Sequence, residues 1–256
     1  MTVSTEFDRY PRTGRFLAGR LRSEMSEAEK TELEGLVVDT MTLRDGARAI
    51  ARGDACNWSA ILIDGFVLRT LENGGRRYAV SFHVPGDFVD LHGFPMKRLD
   101  HNVASLDTVT LAKVPHTAIA RLVERFPHLA RAMWFSTLLD AAMHREWIFR
   151  LGRLNAEGRI AHLVSEIIER LKFVGRFDGT NLPVPLLQRD YAEACGITSV
   201  HANRSFRNLR ERGILDPQGD GRIVIQDEAA LNKLGEFDGD YLYGDGDLAL
   251  DTLDDR

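Results

Sequence analysis

The hydrophobic and polar positions change rhythm several times along the chain. From about Thr40 apolar residues alternate with polar ones or fall in short β-branched runs, at 59–63, 66–70, 77–82 and 108–112. Turn signals part these runs at Asp45-Gly46, Gly53-Asp54, Asp64-Gly65, Asn73-Gly74-Gly75 and Pro85-Gly86-Asp87. Many short strands with glycine turns predict an antiparallel sandwich or barrel, with hairpins at Asp64-Gly65 and Asn73-Gly74-Gly75. Before them, Ser26 and Glu29 form a capping box that opens a helix carrying Leu33, Leu36 and Val37. Residues 1–22 are polar and basic without a period, and read as an arm or short helix.

After Thr117 the period becomes helical, pauses at Pro127 and resumes over 128–151. Leu129, Met133, Trp134, Phe135, Leu138, Leu139, Met143, Trp147, Ile148 and Phe149 leave that helix apolar nearly all round. A helix without a polar face must be covered on more than one side. One side can pack on the sandwich; the other calls for a second chain. A further helix follows over 155–171, then a loop rich in Gly, Asp, Asn and Pro over 175–185.

The densest pattern lies beyond that loop. Apolar residues recur at helical spacing on both sides of Gly196: Leu187, Tyr191, Ala192 and Cys195 before it, Val200, Phe206 and Leu209 after it. Two helices meeting at a glycine turn make a helix-turn-helix, with Ile197 pinning the turn and Thr198 capping the second helix. Ser199, Val200, His201, Asn203, Arg204 and Arg207 face outward, while Ala202, Phe206 and Leu209 face inward. Gly213 closes the helix. Residues 214–215 and 222–225 then read as two strands around the turn 217–221, which makes a wing. A helical hairpin that merely packs needs neither the cap, the basic face nor the wing.

Leu186 to Leu215 resembles the winged helix-turn-helix of the Crp/Fnr family of bacterial transcription regulators, in the spacing of Gly196, Thr198, Arg204 and Gly213-Ile214. The strands, glycine turns and Pro85-Gly86-Asp87-Phe88 are similar to the family's jelly-roll effector domain. The resemblance implies an α+β chain: an N-terminal arm and cyclic-nucleotide-binding-like antiparallel β jelly roll over 1–126, a dimerisation helix over 127–153, a winged helix-turn-helix over 154–235 and an acidic, disordered tail over 236–256. It further implies a homodimer on double-stranded DNA, two helices entering major grooves about 34 Å apart on an inverted repeat. Arg204 is then the principal base reader, flanked by Ser199, Val200 and Asn203. Gln188, Thr198, Ser205, Arg207 and Arg222 are placed for phosphate, and His201 for either.

Charge has to be judged by segment. The net charge is −5 and the pI about 5.9, which alone argues against a nucleic-acid partner. Much of the acid, however, sits in the tail at Asp238, Asp240, Asp245, Asp247, Asp251, Asp254 and Asp255, while 189–212 is net positive. Two cysteines, Cys56 and Cys195, build no disulfide framework and suit a reducing compartment. Without a signal sequence or a long apolar run, the expected location is the cytoplasm, with no membrane partner.

The resemblance also fixes where an effector would sit. In cyclic-nucleotide-binding members a Glu and an Arg followed by Ser or Thr hold the ligand; here Asp90-Leu91 falls near the Glu and Asp100-His101 on the pair. An Asp there repels phosphate, and Arg98 is two residues off, so cyclic AMP is not the expected ligand. His144 and Arg145 of the long helix complete the candidate effector pocket, which leaves two readings open: some other small molecule, or no ligand at all. RNA polymerase is the further partner to look for. No N-terminal cysteine cluster exists for an iron-sulfur centre. The spacings of His83, His92, His101 and His116 match no compact ligand motif, so no metal or cofactor is expected. Jelly rolls also host metal-dependent cupin enzymes, but these need a close His-x-His pair with a Glu, which is absent. An acidic tail that binds a protein partner, or competes with DNA for the basic helix, is the remaining alternative.

Overall fold

The computed structural model describes residues 3–219 and 221–244. In chain order it has α1 (Val3–Arg9), α2 (Glu27–Gly35), β1 (Asp39–Leu43), β2 (Arg48–Ile50), β3 (Trp58–Asn73), β4 (Arg76–His83), α3 (Gly93–Met96), β5 (Asn102–Pro115), α4 (His116–Arg125) and α5 (Pro127–Arg153). These are followed by α6 (Ala156–Phe173), β6 (Asn181–Leu182), α7 (Gln188–Ala194), α8 (Ser199–Glu211), β7 (Leu215–Pro217), β8 (Ile223–Ile225), α9 (Glu228–Leu234) and a 3-10 turn at Gly239–Leu242. Two compact units result. Of the described residues, the first holds 3–68, 83–141 and 243–244, the second 69–82, 142–219 and 221–242. The division falls within α5, so that helix contributes to both.

The sheet of the β-roll runs β1-β5-β3-β4, with β2 also on β5. The antiparallel register pairs Met41 with Leu111 and Leu43 with Val109. Two apolar clusters fill the first unit. One gathers Phe16, Leu21, Leu33, Ile61, Phe88, Val114, Ile119 and Leu129; the other gathers Ile50, Leu62, Val67, Val89, Leu99, Val103 and Leu111. The expected capping box is present at α2: Glu29 N–H donates to Ser26 Oγ, and Ser26 N–H donates back to the Glu29 carboxylate at 2.8 Å.

Three expectations need correction. Asp64-Gly65 does not turn a hairpin: β3 runs through it. Gly65 has φ +83°, and a Cβ there would lie 2.5 Å from the carbonyl oxygen of Thr108, so the glycine lets β5 approach rather than reversing the chain. Of the arm or short helix expected over 1–22, the short helix is present as α1, but the residues after it pack into the fold rather than forming an arm. Tyr10, Phe16, Leu17, Leu21 and Met25 are buried. The Arg22 guanidinium is held by Glu6 at 2.8 Å and by the Thr13 carbonyl.

The third correction is to the tail. Its start folds onto the second unit: Leu242 is fully buried, the Tyr241 hydroxyl donates to Glu166 at 2.9 Å, and Phe237 packs edge-on against His162. Burial of these three outweighs the solvation that the surrounding aspartates favour. Asp245, Asp247, Asp251, Asp254 and Asp255 lie outside the described residues.

His162 reports on this packing. Its Nδ1 donates to the Gly235 carbonyl at 2.9 Å, and burial, which favours the neutral ring, holds its pKa below the usual histidine value despite the nearby Glu166. The unfolded chain therefore binds the extra proton. Stability from this group is intact above about pH 6.5 and is lost as pH falls toward the lowered folded value. Urea midpoints taken at pH 7.5 and 5.5 should fall further for the wild type than for His162→Gln. The difference should be at most about 1.4 kcal/mol per pH unit, and equal losses would show that the ring carries its proton inside the fold.

Candidate nucleic-acid interface

The second unit builds its exposed surface around α6, which is buried along Ile160, Leu163, Val164, Ile167, Ile168 and Leu171. Against it lie α8, α9 and the 3-10 turn. The chain enters α7 through Leu187, whose N–H donates to Asp190 Oδ2 at 2.9 Å. It leaves through Gly196 at φ +60°, where Ile197 N–H reaches back to the Ala192 carbonyl. Thr198 then accepts from His201 N–H at 3.2 Å and caps α8 as its sequence position implies. At the other end Gly213, φ +66°, closes a Schellman motif: Gly213 N–H bonds to the Arg210 carbonyl and Ile214 N–H to that of Leu209.

Burial sorts the faces of α8. Ala202, Phe206 and Leu209 point in, with Phe206 edge-on to Tyr191 at 5.1 Å. Thr198, Ser199, Val200, His201, Asn203, Arg204 and Arg207 are exposed, Val200 at 77%. An exposed β-branched apolar residue here suits a thymine methyl better than it suits water. Gln188 Oε1 accepts from Asn203 Nδ2 at 3.0 Å, which joins the start of α7 to the middle of α8. Ser205 is the exception among the expected contacts. It is 5% exposed and sits on the inner face with Phe206, so it does not reach phosphate. Arg189 and Arg210, not singled out from the sequence, are exposed. Arg210 continues the line of Asn203 and Arg207, and the i, i+4, i+7 spacing alone would have found it.

The wing pairs β7 with β8, Asp216 opposite Val224, and carries Arg222 exposed just before its second strand. A third strand, β6, flanks β8 where a loop was expected. Behind the surface the thiol of Cys195 is fully buried, and burial pushes its pKa up to about 11. It is a packing residue rather than a reactive one.

The residues expected to form an effector pocket are divided between the two units, Asp90, Leu91, Asp100 and His101 in the first and His144 and Arg145 in the second. Asp90 is fully buried and its Oδ1 accepts from Ala60 N–H at 2.6 Å, while Leu91 belongs to the apolar core. Asp100 is exposed and bonds the adjacent His101, whose hydrogen bond holds its carboxyl below the usual range. His144 and Arg145 fall in the second unit, where His144 lines a cleft with Ser81, Met143, Trp147, Glu166 and Arg170. Arg145 is exposed. The structure does gather a different set, His92, Asp100 and His101, which the spacing did not mark.

A winged helix-turn-helix with its second helix bare and basic, in a chain that also carries a β-roll, defines a DNA-binding transcription regulator. Comparison with known proteins shows what the chain resembles. Residues 158–234 match the model of the Crp-like helix-turn-helix domain. The transcriptional activator protein FnrL of Cereibacter sphaeroides is 27% identical over 202 residues, 76% of this chain and 79% of that protein. The nitrogen fixation regulation protein FixK of Azorhizobium caulinodans is 23% identical over 176 residues, 68% of this chain and 70% of its own. Among solved structures, FixK2 from Bradyrhizobium japonicum superposes with a TM-score of 0.70 at 21% identity, covering 77% of this chain and 96% of that one. A CRP/FNR family regulator from Thermus thermophilus gives 0.62 at 17% identity, with 78% and 99% covered. Residues 158–234 thus carry a Crp-like helix-turn-helix domain, and most of the chain is similar to regulators of the CRP/FNR type. Among the described residues no helix is long and apolar enough to cross a membrane.

The hold on α7 is testable. Arg77, from the tip of the β3–β4 hairpin that groups with the second unit, pairs with Asp190 through Nη2 and with Glu193 through Nε at 2.8 Å. Asp190 is 2% exposed and also caps α7, so removing the cation leaves a buried carboxylate with its cap bond and a longer contact to Arg189 at 3.8 Å. Arg77→Ala should lower the stability of the second unit by about 1–3 kcal/mol, discounted because Arg77 is itself partly exposed. The measurement is hydrogen exchange at the amides of 187–195. Unchanged protection there would mean that the ion pairs do not hold the helix.

Proposed function

We propose that the chain acts in the cytoplasm as a homodimer on an inverted-repeat operator, with Arg204 as the principal base reader and without cyclic AMP as its ligand. The single observation that carries this is the seam of α5. Trp134, Leu138, Ala141, Arg145 and Ile148 follow one another at steps of four and three residues. The three large apolar members are 65%, 53% and 72% exposed. A heptad stripe of that size left in water is what a parallel helix partner covers. Two-fold pairing through α5 would duplicate α8, and duplicated recognition helices read inverted repeats. Asp100, exposed and anionic where cyclic-nucleotide binders place an arginine, supports a ligand other than a cyclic phosphate.

Ile148→Asp should leave the monomer folded, since the side chain is already exposed, yet abolish the dimer in sedimentation equilibrium. Loss of inverted-repeat preference in duplexes selected from a random pool should accompany it. A dimer that survives the change would remove α5 as the interface.

Arg204→Ala should cost about 1–3 kcal/mol in operator binding and relax one base position, whereas Arg222→Ala should weaken all duplexes alike. Gel shifts at fixed salt decide between these. Equal affinity and equal base preference for wild type and Arg204→Ala would take base reading away from that residue.

A further inference from the structure

The β-roll unit carries one cluster that the DNA-binding reading does not use. His92 and His101 stand at the two ends of the segment that includes α3, with Asp100 beside the second. Their donor atoms all lie within 4.8 Å of one another. The two imidazole centroids are 5.1 Å apart at 42°, and Asp100 Oδ1 is 2.8 Å from His101 Nδ1. We propose that His92, Asp100 and His101 form a site for a divalent transition-metal ion of borderline softness, of which zinc is the representative.

The chemistry of the donor set selects the ion. Two imidazoles and one carboxylate suit zinc or its first-row neighbours, whereas calcium and magnesium require mostly oxygen donors. At metal–nitrogen distances of about 2.0–2.1 Å, neighbouring ligands of a tetrahedral ion stand about 3.3 Å apart. Asp100 and His101 already share a proton at a shorter separation than that, and the ion displaces this proton. From a separation of up to 4.8 Å, His92 then has to close by at most about 1.5 Å. Asp100 is 74% exposed, so the fourth position opens to solvent, where a water or an external anion completes the shell.

The scaffold is rigid where it needs to be. Gly93 N–H bonds to the Asp90 carbonyl at 2.7 Å, Cys56 N–H to Lys97 at 2.9 Å and Gly53 N–H to Leu99 at 2.8 Å. Arg98 ties back to the Gly53 carbonyl at 2.7 Å, and Leu99 is buried in the core. With both ends of the segment fixed by backbone bonds, little conformational freedom is left to lose on binding. A bound ion would clip the segment's ends together and add stability to the first unit without any requirement for DNA.

The test uses the full, tag-free chain, stripped with chelator. Titration with cobalt(II) should produce the visible absorption of a four-coordinate site, saturating at one ion per chain, and zinc should displace it. Zinc at a hundredfold excess over its Kd should raise Tm by about 5–11 °C. Affinity should fall as pH drops below about 6.5, because the imidazoles must be neutral to bind. His101→Ala and His92→Gln should each weaken binding at least about tenfold. His92 is half-buried, so His92→Gln keeps the test open if the buried His101 proves necessary for folding. Failure of cobalt(II) to give the band overturns the proposal. So does equal binding by wild type and His92→Gln, which would place the ion on another of the eight histidines.

Discussion

A carboxylate with no access to water organises the second unit. Glu166, in the middle of α6, is fully buried. Trp147 of α5 donates its indole N–H to both oxygens, at 3.3 and 3.2 Å, and Tyr241 donates its hydroxyl at 2.9 Å. Arg170, one turn along α6, lies 3.5 Å away and reaches on to the Phe82 carbonyl at 2.8 Å. A buried charge is tolerated only when its lone pairs are met with good geometry, and withdrawing one partner leaves the others against an unmatched ion. Four segments distant in sequence therefore have to take one arrangement. Such a network contributes less to stability than to uniqueness, because an apolar substitute would permit several packings.

The same network leads to the DNA-facing surface. Arg150 lies one turn beyond Trp147 on α5, its guanidinium 4.3 Å from the indole centroid, and Nη2 donates to the Ala194 carbonyl at 3.0 Å. That carbonyl is an orphan at the C-terminus of α7, where a cation is favoured. Arg159 of α6 takes the neighbouring carbonyl of Cys195 at 3.2 Å. Two arginines thus hold the last turn of α7 just before the chain reverses at Gly196. The direction in which α8 leaves is set by groups that never approach DNA.

How much of this the sequence discloses depends on the range of the interaction. The capping box at Ser26, the cap at Thr198, the glycines at 196 and 213 and the stretch of α5 are local signals, and the structure has each in place. The roles at Gly65, Tyr241 and Ser205 are not local. Gly65 next to Asp64 has the form of a turn, and only the neighbouring strand's carbonyl shows why a glycine is required there. Tyr241 sits in an acidic context that reads as solvated, and its place follows from a carboxylate 75 residues earlier. Ser205 is polar, but helical phase puts it with Phe206 on the inner face, and residue type misled where phase would not have. The convergence of His92 with Asp100 and His101 likewise depends on how the core and neighbouring backbone fold the intervening segment.

An acidic protein that binds DNA is consistent once the range of the field is considered. At physiological ionic strength exposed charges more than about 8 Å apart are largely screened, so a duplex responds to the face it meets and not to the sum of −5. On that face Arg204, Arg207 and Arg210 project from α8 among neutral Ser199, Val200 and Asn203. Three acids near by are already engaged. Glu157 binds Asn208 at 2.7 Å and Arg212 at 3.2 Å, and Asp190 and Glu193 both pair with Arg77. Pairing these carboxylates removes repulsion that would otherwise oppose the approach of phosphate. The ion pairs that fix the helices in place are therefore the same ones that leave the outer surface of α8 positive.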